Sequence, residues 1–120
     1  METILNIHKA LADPNRLRIF HALECHGELC ACQITELLEI TGATISRHLG
    51  IMVNAGILKK RKQGRFIYFR LNRENPLLPG LVAWGKGALE ESSQIQRDRA
   101  ALEGILAIPC EELFKSQQSQ

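Results

Sequence analysis

Apolar residues recur at helical spacing along most of this chain. Over Glu2–Leu11, Ile4, Leu5 and Leu11 share one side of a helix with His8. Asp13-Pro14 closes that element and opens another. The Asp13 carboxylate can accept from free helical amides, and Pro14 suits a first helical position. The second helix runs to about Cys25, with Leu17, Phe20 and Leu23 inward, Arg16 and Arg18 outward, and Gly27 as its stop. A third occupies about residues 30–39 around Ile34, Leu37 and Leu38, and Gly42 breaks it. The fourth begins at Thr41 or Thr44. It sets Ile45, Leu49, Met52 and Val53 on one side and Thr44, Arg47, His48 and Asn54 on the other, and Gly56 ends it.

The period then changes. Residues 57–60 and the run Phe66-Ile67-Tyr68-Phe69 read as short strands, with a turn at Gln63-Gly64, hence a β-hairpin. After Asn75-Pro76 and Pro79-Gly80, a long helical pattern returns. Leu81, Ala88, Ile95 and Leu102 recur every seven residues, with Trp84, Leu89, Ile105 and Leu106 widening the stripe. Gly85 and Gly87 are where that helix would divide. Residues 117–120 read as a frayed tail. The fold class is mainly α with a β-hairpin wing: about five helices in the order α-α-α-α-β-β-α, a winged helix-turn-helix. Residues 1–73 form the DNA-binding unit, and residues 74–120 hold a dimerisation helix and tail. A long apolar helix after a complete small domain calls for a partner, and its own copy, packed with the first helix, makes a homodimer. The competing reading folds this helix back onto its own domain.

Charge sharpens the picture. Residues 41–73 carry eight cations and no acid, so all thirteen acids lie elsewhere, while the whole chain is only +2. Positive charge gathered on one helix and one hairpin is the electrostatic footprint of a phosphate binder. Thr44, Ser46, Arg47 and His48 are expected to face double-stranded DNA in the major groove, with Lys62 and Arg65 at the hairpin tip on phosphates. The bland alternative is a solvated basic face. A two-fold dimer would match a palindromic operator.

The 120 residues bound one domain, and 45% hydrophobic content supplies a small core. No run approaches the ~18 apolar residues of a membrane helix, and no signal-peptide pattern opens the chain. The expectation is a cytoplasmic protein with no membrane association, whose four cysteines are reduced thiols. Those cysteines, Cys25, Cys30, Cys32 and Cys110, carry the candidate chemistry. Cys30-Ala31-Cys32 opens the third helix, where the helix dipole favours thiolates, and thiolates select soft metals. Positions i and i+2 lie about 200° apart on a regular helix. Shared binding of one ion is therefore expected to unwind or tilt the first turn of the third helix, and so disturb the fourth.

The chain resembles the ArsR/SmtB family of metal-responsive winged-helix repressors. The resemblance rests on residues 12–19 (ADPNRLRI), residues 28–32 (ELCAC), residues 44–49 (TISRHL), residues 55–58 (AGIL) and residues 61–65 (RKQGR), in family order. It implies a homodimeric repressor, commonly of a metal or arsenic resistance operon, that leaves its operator when an ion binds the ELCxC box. Thr35 stands where a further thiol could have been, no cysteine lies on an amino-terminal arm, and residues 77–108 lack histidine. Against the family's site types this favours As(III) or Sb(III) as inducer, held by Cys30 and Cys32 with Cys110 as third ligand, supplied across the dimer, and Cys25 as its rival. Other readings are a redox sensor or a Cd-, Pb- or Zn-responsive repressor of the same fold, and more remotely a small thiol enzyme. Against an enzyme, the chain has no Cys-x-x-Cys before a βαβ pattern and no HExxH.

Overall fold

Local chemistry sets the corners of the chain. The computed structural model describes residues 1–118. It comprises α1 (Glu2–Leu11), α2 (Pro14–His26), β1 (Glu28–Cys30), α3 (Ala31–Leu38), α4 (Gly42–Asn54), β2 (Leu58–Gln63), β3 (Phe66–Leu71), α5 (Leu78–Leu89), α6 (Ser93–Leu106) and α7 (Cys110–Gln118). Asp13 caps α2 by accepting from the amides of Asn15 at 2.8 Å and Arg16 at 3.1 Å. Thr41 caps α4 through the Thr44 amide at 3.3 Å. The strands form one antiparallel sheet in the order β1-β3-β2. The hairpin turn falls at Gly64-Arg65 rather than at Gln63-Gly64, because β2 extends to Gln63, which pairs with Phe66. Gly64 takes φ 61°, a conformation suited to glycine in a two-residue hairpin turn. Ile19, Leu23, Leu29, Ile34, Leu49, Met52 and Ile57 are sealed in the core between the helices and the inner face of the sheet.

Among the described residues, seven helices replace the expected five. The seven-residue stripe is shared between two helices, which break at Glu90-Glu91, where Ser92 caps α6 through the Ile95 amide at 3.4 Å. Gly85 is not the break. It lies buried inside α5, where an added Cβ would stand 3.2 Å from Cε1 of Phe20. The strand β1 was invisible to period analysis because three residues are too few to show alternation. Gln117 and Gln118, read as frayed, belong to α7. Ser119 and Gln120 lie outside the described residues.

The competing placement of the long segment holds for α6. It folds back onto α2 and α3 of its own chain, burying Ile95, Leu102 and Ile105. Arg18, expected to point outward, fixes it there. Its Nε and Nη2 each donate to the buried Asp98 carboxylate at 2.9 Å, and Nη2 also reaches the Leu37 carbonyl at 3.4 Å. Apolar side chains still face solvent on α1 (Ile4 and Leu5) and on α5 (Trp84).

Candidate metal centre and nucleic-acid interface

The corner between β1 and α3 makes the thiol site. Leu29 is fully buried and pairs with Phe69 of β3, which anchors the strand. Cys30 ends that strand in extended conformation (φ −82°, ψ 159°), and its amide donates to Oε1 of Gln33 at 2.9 Å. Cys32 lies one residue inside α3. Because Cys30 precedes the helix, the 200° separation expected of an i, i+2 helical pair does not apply. The two sulfurs converge to 2.6 Å with α3 intact. Unwinding of the first turn is therefore not required to bring them together.

Cys110 of the same chain completes the cluster. Its Sγ lies 3.2 Å from that of Cys30, and its carbonyl oxygen 3.9 Å from Sγ of Cys32. Position 110 opens α7, which is seated by buried Leu113 and by Gln117, whose amide donates to the Cys32 carbonyl at 2.8 Å. The three sulfurs form a group of potential ligands, two buried and one half-buried. Tyr68, opposite Cys30 in the sheet, brings its hydroxyl to 4.0 Å from Sγ of Cys110.

One proton serves the closest pair. The Cys32 thiol donates to Cys30, which holds the Cys30 thiol down to about 6, and that same bond together with burial drives Cys32 far upward. Burial, then the neighbouring Cys30, raises Cys110. The shared proton thus favours the thiolate on Cys30 over Cys32 and Cys110.

Cys25 belongs elsewhere. It is exposed at the end of α2, with Sγ 3.3 Å from Nε2 of His21 and next to Glu24. That second cluster is closed by cations. Arg99 donates to His21 at 3.0 Å and Lys86 pairs with Glu24 at 3.2 Å. Burial and the adjacent Arg99 lower the His21 pKa, and burial with the Glu24 charge raises that of Cys25.

The helix pair α3–α4 and the β2–β3 hairpin form the helix-turn-helix and wing. Ser46 and Arg47 are exposed on α4, and Lys62 is exposed on β2. Thr44 is half-buried, its hydroxyl 2.9 Å from that of Thr41. His48 is a correction: it is only 4% exposed and its Nδ1 lies 3.0 Å from Nη1 of Arg16. Position 48 sits beside Leu49 and one turn from Ile45, at the margin of the apolar stripe, and α1 and α2 cover that margin. Burial accordingly lowers its pKa. His48 is a packed side chain, turned away from the exposed face of α4.

Acids missing from residues 41–73 in sequence return in space. Lys59 pairs with Glu74 at 2.6 Å, Arg61 with Glu28 at 2.5 Å, and Arg65 with Glu111. Arg61 also lies over the Tyr68 ring at 4.6 Å, and Arg65 over Phe114 at 4.5 Å. Tyr68, Glu111, Phe114 and Gln117 were missed by sequence reasoning. The helical run Cys110-Glu111-Glu112-Leu113-Phe114 was the available signal, a thiol and an aromatic one turn apart.

Fold and site together define a winged-helix DNA-binding regulator with a thiol cluster at the start of α3. Comparison with known proteins agrees. The profile described as bacterial regulatory protein, arsR family, matches residues 13–60. The chain is 33% identical over 95 residues to the arsenical resistance operon repressor of Escherichia coli K12, covering 79% of this chain and 76% of that one. It is 39% identical over 72 residues to a cadmium resistance transcriptional regulatory protein, a CadC homolog of Staphylococcus aureus, of whose length the match spans 60%. Among solved structures, the antimony-specific repressor AntR superposes with TM-score 0.62 at 26% identity over 76% of this chain and 80% of its own. A homodimeric winged helix-turn-helix domain, Mb0332 of Mycobacterium bovis, gives 0.64 at 25% identity over 77% and 82%. The chain belongs to the arsR family of bacterial regulatory proteins, transcriptional regulators and not enzymes. No described helix is long and apolar enough to cross a membrane.

Proposed function

We propose that this chain is a repressor that binds operator DNA as a homodimer and releases it when As(III) or Sb(III) joins Cys30, Cys32 and Cys110. The convergence of three thiols carries this reading. A soft ion with ~2.3 Å bonds to sulfur at near-right angles holds its sulfurs roughly 3.3 Å apart. Cys30 and Cys110 already stand 3.2 Å apart, and Cys32 would move outward from its 2.6 Å approach to Cys30. Arsenous acid would exchange three As–O bonds for three As–S bonds and release three waters. Two of the protons come from the Cys32 and Cys110 thiols, and the third from solvent. Among the described residues the cluster offers three ligands and no fourth, which favours a pyramidal ion with a lone pair over tetrahedral zinc or cadmium. Ser46, Arg47, Lys62 and Arg65 are the DNA-contacting set, with Thr44 at the helix start. Exposed Ile4, Leu5 and Trp84 fit a dimer surface on α1 and α5. The relatives' names, which speak of arsenical, cadmium and antimony regulators, support a soft-ion inducer.

The test uses a fluorescent duplex from the region upstream of the chain's own coding sequence, under reducing conditions and at fixed salt. Arsenite or antimonite should lower the anisotropy, and Cys30→Ser, Cys32→Ser and Cys110→Ser should each abolish the response while Cys25→Ser leaves it intact. A second reading draws on the 3.2 Å approach of Cys30 to Cys110, which would also suit a disulfide switch. Release by oxidant, reversed by dithiothreitol and indifferent to every ion, would establish it and overturn the metal reading.

A further inference from the structure

The helix that supplies Cys110 is tied at once to the thiol site and to the wing. Its first residue is the third sulfur of the cluster, and Gln117 near its far end binds the Cys32 carbonyl at 2.8 Å and the Glu36 carboxylate at 3.3 Å. Between these anchors, Glu111 pairs with Arg65, the arginine of the wing turn. Phe114, one turn beyond Cys110, meets Phe66 edge-on with ring centroids 6.0 Å apart, and the Arg65 guanidinium lies 4.5 Å from its centroid. A cleft of about 350 Å³ is lined jointly by Cys32, Gly42, Ser46, Arg65, Phe66 and Phe114. A single short helix therefore touches the thiol cluster and the wing cation, and lines a cleft that also reaches the start of α4.

We propose that α7 is the latch through which the thiol site controls DNA binding, acting by withdrawing Arg65 from DNA. Docked, α7 gives the guanidinium a carboxylate and an aromatic face in place of a phosphate. Arg65 and Glu111 keep side-chain exposures of 51% and 49%, so water screens their pairing and a DNA phosphate can compete for the arginine. An ion shared by Cys30, Cys32 and Cys110 binds only the docked arrangement, because it needs residue 110 beside residues 30 and 32. It shifts the population toward the state in which Arg65 is taken. The coupling is reciprocal: operator DNA should weaken arsenite binding by the same factor by which arsenite weakens operator binding. The inference rests on the reading of the three thiols as the inducer site.

The test separates ion uptake from DNA release. Arsenite is titrated into the wild type, Glu111→Gln, Phe114→Ala and Arg65→Lys, each bound to the upstream duplex. Uptake is read by arsenic–thiolate absorbance and by protection of thiols from alkylation, and release by anisotropy. The latch requires that Glu111→Gln and Phe114→Ala still take up one arsenite per chain on three thiols, while arsenite's effect on operator affinity falls at least fivefold from the wild-type value. Arg65→Lys keeps the positive charge but loses the planar ring contact, and should show the same uncoupling with its folding undisturbed. Uptake with wild-type release in all three variants would overturn the latch and leave the inducer site standing. No uptake by the wild type would remove the inducer site itself, and the latch with it.

Discussion

The contact that holds α6, the helix leading to Cys110, can be broken with one substitution. Asp98 of α6 is buried, with its side chain 6% exposed, and accepts two bonds of 2.9 Å from Arg18 and a third of 2.9 Å from Gln94. Asp98→Ala leaves the Arg18 guanidinium with the Leu37 carbonyl at 3.4 Å as its remaining partner on α3. Removing one member of a buried pair typically costs about 3–5 kcal/mol. Arg18 keeps 18% side-chain exposure, so water recovers part of that, and a cost near the lower end, about 3 kcal/mol, is expected. Replacing both members, Arg18→Met with Asp98→Leu, removes the stranded charge and should recover most of the loss. The measurement is urea unfolding of the wild type and both variants, with the midpoint shifting at unchanged slope. Because α6 leads through Pro109 into α7, Asp98→Ala should also weaken arsenite binding more than it weakens DNA binding. A cost below about 1 kcal/mol, or a double variant as unstable as the single one, would refute the reasoning that a desolvated ion pair fixes α6.

Other consequences are as direct. Cys30 has its pKa lowered to about 6 from an ordinary value of 9.0, so its contribution to stability is complete above the unfolded value and is lost as pH falls through about 6. Cys32 is shifted upward, so its contribution runs the other way and is lost at alkaline pH. The stability difference between the wild type and a Cys30→Ser, Cys32→Ser double variant should therefore rise from pH 6 toward pH 9 and decline beyond it; a flat profile would mean that the two sulfurs do not share a proton. His48→Gln, which retains a polar partner for Arg16, should bind DNA like the wild type, whereas His48→Ala should lose about 1–2 kcal/mol of stability with sequence preference unchanged; altered base preference in either would restore His48 as a reader. Lys62→Ala should weaken binding to all duplexes alike and lower the salt dependence by about one counterion, as measured by anisotropy over a salt series. Gly85→Ala should destabilise the chain, because the new methyl group meets the Phe20 ring at 3.2 Å inside a packed contact, and thermal melting will register it.

Local chemistry alone determined much of this protein. Asp13-Pro14, Thr41, Gly27 and Gly56 fix where helices begin and end, because caps and left-handed turns are one- or two-residue decisions. The change from helical to alternating period at residues 57–69 placed the wing, and the cation run of residues 41–73 marked the face proposed to meet phosphate. Cys30-Ala31-Cys32 was legible as chemistry for the same reason, two rare side chains almost adjacent.

What the sequence could not set is which distant residues meet. The stripe of residues 81–102 has the same periodicity whether it packs on a second copy or on its own chain, and Asp98 opposite Arg18 decided the matter for α6. His48 lies on the margin between the apolar and polar sides of α4, and only the position of Arg16 on a neighbouring helix put it inside. Cys110 stands eighty residues from Cys30, and no spacing rule joins them. Glu28, Glu74 and Glu111 reach the cation-rich segment by folding, so a stretch that carries no acid in sequence carries three ion pairs in space. Backbone propensity acts over a turn or two, whereas burial and charge pairing act across whatever the fold brings within a few ångströms. The first wrote the helices and the wing; the second assembled the thiol site.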